Sequence, residues 1–159
     1  METKKITKYG LIMALYIVLS LVVPELGYGP IQFRISEVLT LLAFIDSGYV
    51  LPLTLACAIV NIWSPFGIVD VIFGSLASFL ALTSMTKTKN IYIASLFPAL
   101  FSVIIGLEIL FLSNEPINFF LVTAQIMLSE IVIVTIIGVP VFKSIMKNNF
   151  LMDKLLLKD

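Results

Sequence analysis

The chain of 159 residues contains no histidine, and Cys57 is its only cysteine. One thiol cannot form an intrachain disulfide. Without histidine the chain cannot assemble a Ser-His-Asp or Cys-His catalytic group, and a conventional zinc site is nearly excluded. Cys57 lies in the apolar run 53–60, where a small buried hydrophobic side chain is expected rather than a nucleophile.

Nucleotide-binding motifs are missing as well. The sequence has neither a Gly-x-x-x-x-Gly-Lys-Ser/Thr loop nor a Gly-x-Gly-x-x-Gly segment. The chain therefore cannot itself hydrolyse ATP through a P-loop or bind a dinucleotide in the usual way. We predict a protein that is not an enzyme and that uses no metal or cofactor.

Charged residues are scarce, at 13% of the chain, whereas 60% of residues are apolar and the mean hydropathy is +1.11. Soluble proteins carry about 25% charged residues, and so few charges could not cover the surface of a chain this short in water. The formal net charge is zero, and no basic patch indicates a nucleic-acid partner. The composition predicts an all-α integral membrane protein in contact with lipid.

Six apolar segments are candidate transmembrane helices: 7–23, 36–46, 48–62, 67–86, 90–112 and 117–146. A spanning helix needs roughly 20 predominantly apolar residues, so the second segment is too short to span alone. The first shows no small-residue cleavage site and is expected to be a retained span. We predict one six-helix domain over 1–149 and a short amphipathic cytoplasmic tail over 150–159 at the inner membrane surface.

The distribution of cations predicts the orientation of these helices. With the N-terminus in the cytoplasm, nine cations lie inside and Arg34 alone lies outside, which the positive-inside rule favours. The inside set is Lys4, Lys5, Lys8, Lys87, Lys89, Lys143, Lys147, Lys154 and Lys158. Both termini are therefore predicted to be cytoplasmic.

This topology places the connections 24–35, 61–67 and 113–117 outside. The first is the longest and the most polar. Non-helical backbone at membrane depth is tolerated only where it is buried in protein or lines a polar cavity. Because the helix that follows is short, loop 24–35 is predicted to be a lid over a shallow cavity that opens outward.

Ionisable groups within membrane spans are costly and usually face a partner or a cavity. The outer half of the predicted bundle holds Glu37, Asp70, Glu108 and, deeper, Glu130, with Arg34 as the local cation. One acid can pair with Arg34, most simply Glu37 or Asp70. The other carboxyl groups are either protonated or available to a ligand that brings positive charge and N–H donors. This surplus of acceptors favours a cationic, donor-rich small molecule.

Each of these residues also has a purely structural interpretation. Glu130 could be protonated and hydrogen-bonded to a neighbouring helix, and Asp70 could stabilise the start of its helix. Glu37 could simply pair with Arg34. Trp63 lies at interface depth, where aromatic side chains commonly anchor a chain in the bilayer, so it could either anchor the helix or stack on a ligand.

The first helix carries a second feature, the small residues Gly10 and Ala14, which are four positions apart. Such a small-x-x-x-small pair lets another helix approach closely. Pairs of this kind are common in membrane helices, so on residue type alone a partner helix and lipid both remain possible.

The polar segments together resemble the QueT family over roughly residues 9–142. The resemblance rests on Ile31-Gln-Phe-Arg-Ile-Ser-Glu37, Asn61 with Ser64-Pro-Phe-Gly67, Asp70-Val-Ile-Phe-Gly-Ser75, Gly106-Leu-Glu108, and Ser129-Glu130 with Gly138. The Gln-Phe-Arg-x-Ser-Glu motif is the specific part, and the later pieces alone are weak. Ser129 departs from the family pattern, in which glycine is expected before the glutamate, and this should loosen the packing there.

The resemblance implies a six-helix substrate-binding (S) component of an energy-coupling-factor (ECF) transporter in a bacterial cell membrane. Such a component binds its solute in an outward pocket. It associates through its first helix, here at Gly10 and Ala14, with a transmembrane coupling subunit that two ATPase subunits drive. The missing P-loop then fits, because the ATPases are separate polypeptides.

The implied ligand is a queuosine precursor, 7-aminomethyl-7-deazaguanine, whose ammonium and guanine-like edge suit carboxylate acceptors. Glu108 and Glu130 are expected in direct contact with it. The other expected substrate-binding residues are Asn61, Asp70, Gln125, Gln32 and Trp63, and those expected to order the lid and pocket are Arg34, Glu37 and Phe33. Which carboxylate takes which ligand donor is left open.

Three alternatives remain at this point. A self-sufficient proton-coupled carrier would use Glu108 and Glu130 as a proton relay. A small membrane enzyme would use carboxylates for acid-base chemistry. An S component of the same kind could also bind another purine-like vitamin.

Overall fold

The computed structural model describes residues 2–22, 27, 32–113 and 116–156, and within these the chain is all-helical, with no strand. We number the helices of the described part in chain order. They are α1 (Glu2–Leu21), α2 (Ile35–Ile45), α3 (Ser47–Asn61), α4 (Ile68–Met85), α5 (Ile91–Leu112), α6 (Phe119–Met146) and α7 (Asn149–Leu155).

Three of the described helices, α4, α5 and α6, are long and apolar enough to cross a membrane. This fits the membrane protein that the composition predicts. The helix α1 starts earlier than the predicted segment 7–23, and residue 23 lies outside the described residues. The six-span count, the cytoplasmic termini and the division into domain and tail stay predictions.

Polar side chains set several helix starts. The side chains of Asn90, Asn118 and Asn148 each accept a hydrogen bond from a backbone N–H in the first turn of α5, α6 and α7. Those N–H groups have no partner within the helix, so a side-chain oxygen stabilises the helix end. The turn before α4 uses Gly67 with φ of 58°, a conformation that glycine adopts without steric cost.

The described helices α1 to α6 form a closed ring. In order around it, α1 packs on α3, α3 on α4, α4 on α5, α5 on α6, α6 on α2, and α2 back on α1. The shortest of these, α2, begins as a 3-10 helix over Ile35–Leu41. A closed ring of apolar helices leaves an interior in which polar side chains can be enclosed by protein rather than lipid.

The helix α6 changes geometry directly after Glu130. Residues Phe119–Glu130 are α-helical, and Ile131–Gly138 form a π-helix. The π segment contains seven consecutive β-branched residues, 131–137, whose side chains crowd the preceding turn of an α-helix. π segments are rare and occur frequently at functional sites, and this one packs against the 3-10 part of α2.

The C-terminal helix docks back onto one end of the bundle. The Tyr49 hydroxyl donates to the Leu155 carbonyl at 2.7 Å, and Lys8 Nζ donates to the Leu156 carbonyl at 2.8 Å. The Leu155 side chain packs on the core cluster. The segment predicted as an amphipathic tail is therefore helical over Asn149–Leu155, with its exposed Phe150 facing away from the core; residues 157–159 lie outside the described part.

The helices α3 and α4 approach closely at Gly74. A Cβ atom on Gly74 would lie 2.1 Å from Asn61 Nδ2, whereas one on Gly10 would meet nothing within 4 Å. The Asn61 side chain is fully buried and donates to the Asp70 carbonyl at 3.1 Å. The absence of a side chain at Gly74 thus makes room for the amide that joins the two helices.

We expect Gly74→Ala to lower the apparent Tm of the detergent-solubilised protein, because the added methyl displaces the Asn61 amide at a cost of about 1–3 kcal/mol. Gly10→Ala is the matched control and should leave the apparent Tm unchanged or slightly raised. Thermal unfolding followed by size-exclusion chromatography measures both. Equal effects of the two substitutions would contradict the close approach at Gly74.

Candidate functional site

A polar cavity lies inside the ring and is lined by five helices and the segment before α2. Its walls come from α2, α3, α4, α5 and α6, and α1 supplies none of the described lining residues. The lining residues are Gln32, Arg34, Glu37, Thr40, Cys57, Gly74, Ala77, Ser78, Ala81, Pro98, Ser102, Ile105, Ile126 and Glu130.

Two of the predicted acids, Glu37 and Glu130, face this cavity. Glu37 is 6% exposed and Glu130 is 9% exposed, and both line the same cavity. Glu37 Oε1 accepts a hydrogen bond of 2.5 Å from the Tyr16 hydroxyl. Glu130 Oε2 is buried and has no hydrogen-bond partner within the part of the chain that the structure describes. Two like charges at one cavity are stabilised by a cation between them.

Three hydroxyl groups of the lining also present acceptors. Thr40 donates to the Glu37 carbonyl at 2.5 Å, Ser78 donates to Cys57 Sγ at 3.2 Å, and Ser102 donates to the Ala99 carbonyl at 2.7 Å. A hydroxyl has one proton and two lone pairs. Because each of these hydroxyl protons is already donated to a protein atom, the oxygen can only accept further hydrogen bonds. The three hydroxyls therefore act as acceptors beside the carboxylates.

The cation of the cavity is Arg34, and Asn61 helps to hold it. Arg34 Nη1 donates to Asn61 Oδ1 at 2.9 Å, and Arg34 Nε donates to the Gly27 carbonyl at 3.3 Å. The Asn61 amide nitrogen donates in turn to the Asp70 carbonyl. Asn61 was expected to contact substrate, and it does not line the cavity in the described residues; its amide instead bridges Arg34 and α4.

Gln32 lines the cavity with a strained backbone. Its φ is 48°, in the left-handed region that non-glycine residues rarely occupy. The Ser129 hydroxyl donates to the Gln32 carbonyl at 3.1 Å, so α6 fixes the segment before α2 at the position next to Glu130. Ser129 is 3% exposed. The serine that was expected to loosen the packing is thus buried and adds a hydrogen bond.

Asp70 and Glu108 lie next to the cavity. Both are buried and neither lines the cavity. Both carboxyl oxygens of Glu108 are without a hydrogen-bond partner in the described part of the chain. Asp70 precedes the lining residue Gly74 by one helical turn, and Glu108 follows Ile105 by about one turn. The pair therefore lies at the predicted outer side of the cavity.

The remaining predicted residues lie away from the cavity lining. Trp63 is 59% exposed, Gln125 is half-buried on α6, and Phe33 packs against the hydrophobic core. On α1, Gly10 and Ala14 are both exposed. Of the predicted lid 24–35, residues 24–26 and 28–31 lie outside the described residues.

Several residues in or next to the cavity wall could not be predicted from the sequence. Tyr16 lies in an apolar helix, and Thr40, Ser78 and Ser102 are small hydroxyl residues within apolar spans, so residue type gave no reason to select them. Cys57 was expected to be a small buried side chain, and it is 2% exposed, but its place in the cavity wall was not foreseen. The helical spacing of the small residues Gly74, Ala77, Ser78 and Ala81 on α4 is the one signal that could have indicated a cavity wall.

The ring of helices and the acids in its cavity define the class of protein: an all-helical membrane protein that encloses an acid-lined cavity. The comparison with known families names one family. The profile of the QueT transporter family matches residues 6–147, and the chain belongs to this family, as the polar motifs predicted.

A named relative agrees with that assignment. The chain is 30% identical to the queuosine precursor transporter QueT of Lactococcus lactis subsp. cremoris (strain MG1363), over 97% of this chain and 93% of that protein. No solved structure gives a significant match. Family and relative are transporters, which agrees with a protein that is not an enzyme.

Proposed function

We propose that this protein is the substrate-binding S component of an ECF-type importer and that it captures 7-aminomethyl-7-deazaguanine from outside the cell. The observation that carries the proposal is the excess of acceptors in the cavity. Glu37, Glu130 and three hydroxyl oxygens face it, and Arg34 and Gln32 are its main donors. The relative that is named as a queuosine precursor transporter supports this choice of ligand.

The chemistry of the ligand matches the cavity. Its aminomethyl group is an ammonium at neutral pH, and its guanine-like edge presents adjacent N1–H and N2–H donors. A carboxylate can accept both edge donors in a bidentate arrangement, and a second carboxylate can pair with the ammonium. The single carbonyl oxygen of the ligand needs one donor, which Gln32 or Arg34 can supply.

The hydrogen bonds already present support different roles for the two carboxylates of the cavity. Glu37 Oε1 accepts a hydrogen bond from the Tyr16 hydroxyl, so its other oxygen suits a single contact with the ammonium. Glu130 Oε2 is buried and has no partner among the described residues. A bidentate arrangement requires both oxygens, and we therefore propose that Glu130, which lines the cavity as Glu108 does not, accepts the donors of the ligand edge.

Asp70 and Glu108 take a different role in this proposal. They lie about one turn outward of the cavity wall, where a ligand entering from outside would pass them. The buried carboxyl oxygens of Glu108 and Glu130 that lack a partner among the described residues also favour a second candidate function, a proton-coupled carrier that uses these two acids. That carrier would have to transport without any coupling subunit, whereas the S component requires one.

The proposed transporter is a multi-pass protein of the bacterial cell membrane, with six spans and both termini in the cytoplasm. The exposed residues Gly10 and Ala14 mark the face of α1 that would contact the transmembrane coupling subunit, because small side chains permit close helix packing. Two ATPase subunits would drive delivery of the ligand. The nine lysines on the predicted inner side support this orientation.

Calorimetry of the detergent-solubilised chain should show tight binding of the aminomethyl compound, with guanine and the neutral nitrile analogue at least about tenfold weaker, because a charge-assisted contact is lost. Glu37→Gln should reduce this preference. Glu130→Gln should weaken all three compounds, since each presents the same edge donors. Equal affinity of the wild-type protein for all three would refute the proposal.

Gly10→Leu and Ala14→Leu should leave ligand binding unchanged and abolish uptake in cells that contain the coupling module. The bulky side chain would prevent close approach of the coupling subunit while the cavity, on the other side of α2 and α3, stays intact. Leu11→Ile, at an exposed neighbouring position, is the control and should preserve uptake. Normal uptake with either leucine variant would exclude this face of α1 from the coupling interface.

A further inference from the structure

None of the described residues of α1 lines the cavity, but Tyr16 contacts Glu37, which does. Two side chains of α1 are buried among the residues that the structure describes, Tyr16 at 1% exposure and Ser20 at 4%. Both are polar, and they lie one helical turn apart on the face that packs on α2. In a helix whose other side chains are mostly apolar, a buried polar pair is costly unless each group has a partner.

Each has a partner on α2, and the two partners are neighbours in sequence. The Tyr16 hydroxyl donates to Glu37 Oε1 at 2.5 Å, and Ser20 Oγ lies 2.6 Å from Ser36 Oγ. The Ser20 hydroxyl also bonds within α1, to the Tyr16 carbonyl at 2.8 Å. The first contact joins a phenol to a carboxyl group, which makes it the stronger bond when the acid is ionised. The second joins two neutral hydroxyls.

The 3-10 geometry of α2 gives these neighbours different roles. Residues three apart eclipse each other in a 3-10 helix, and Glu37 and Thr40 accordingly both line the cavity. Ser36 is fully buried and does not line it. Glu37 therefore lies between α1 and the cavity: its Oε1 accepts a hydrogen bond from Tyr16 of α1, and its carboxyl group lines the cavity.

We propose that Tyr16 is a positioning residue for ligand recognition: its hydroxyl fixes the Glu37 carboxylate so that the second oxygen faces the ammonium of the bound ligand. A glutamate side chain has several rotamers, and binding is tighter when the productive one is held in advance. This inference rests on the proposed function, in which Glu37 takes the ammonium. Ser20, which does not touch Glu37, has no such role.

The test compares Tyr16→Phe with the matched control Ser20→Ala, each measured by calorimetry with the aminomethyl compound and with the neutral nitrile. Tyr16→Phe should weaken the aminomethyl compound about tenfold and the nitrile less than about twofold, because the lost bond acts only through Glu37. Ser20→Ala should preserve the wild-type preference. In a Glu37→Gln background, Tyr16→Phe should have no further effect on the preference.

Three results would overturn the inference: equal weakening of both compounds by Tyr16→Phe, the same selective loss in Ser20→Ala, or additive effects of Tyr16→Phe and Glu37→Gln. If Tyr16→Phe does not fold, Glu37→Asp serves instead. It keeps the charge and withdraws the carboxylate from the hydroxyl, and an unchanged preference there would also refute the role of Tyr16.

The outcomes separate this inference from the proposed function. If the wild-type chain binds the two compounds equally, the proposed ligand is wrong, and the proposed role of Tyr16 is refuted as well. If the wild-type chain prefers the aminomethyl compound and Tyr16→Phe retains that preference in full, only the positioning role is wrong.

Discussion

Four buried carboxyl groups and one guanidinium, that of Arg34, lie in the described helix bundle, and this imbalance of charge is the constraint on which the site depends. The acids are Glu37, Asp70, Glu108 and Glu130. One cation cannot neutralise four acids in a space enclosed by apolar helices, where unbalanced charge is costly. The acids are divided: Glu37 and Glu130 face a cavity, while Asp70 and Glu108 are buried outside its lining. In the proposed function, the positive charge that the cavity lacks arrives with the ligand.

Much of the fold could be predicted because turn residues bound the apolar runs. The short segment expected at 36–46 is the helix Ile35–Ile45, and the one expected at 67–86 is Ile68–Met85. The order of the helices around the ring could not be predicted, since helices that are apolar on every side give no periodic signal of the face that packs. The π-helix after Glu130 was also missed, because it depends on packing against α2 as well as on β-branched residues.

The four acids could be selected from the sequence, but their distribution between the cavity lining and the surrounding helices could not. A glutamate in a membrane helix has a limited set of explanations, so Glu37 and Glu130 could be selected by residue type. Asp70 and Glu108 lie only about one helical turn from lining residues of α4 and α5. The sequence alone cannot place them outside the lining, because it does not show which face of each helix is turned to the cavity. Tyr16 could not be selected in this way, because a tyrosine in an apolar helix is common. Only its contact with Glu37 in the structure indicates a role.

Cys57 offers the most direct test of the central claim, that the acid-lined cavity is where the cationic ligand binds. It is the only cysteine of the chain and lies in the cavity wall, so its reaction with a small neutral thiol reagent, methyl methanethiosulfonate, reports on that space alone. Mass spectrometry of the intact protein should show labelling that saturating 7-aminomethyl-7-deazaguanine slows at least about tenfold, as expected for a site occupied most of the time. The same concentration should give little protection in Glu130→Gln. Absence of labelling without ligand, or an unchanged rate while calorimetry shows the ligand bound, would contradict the account.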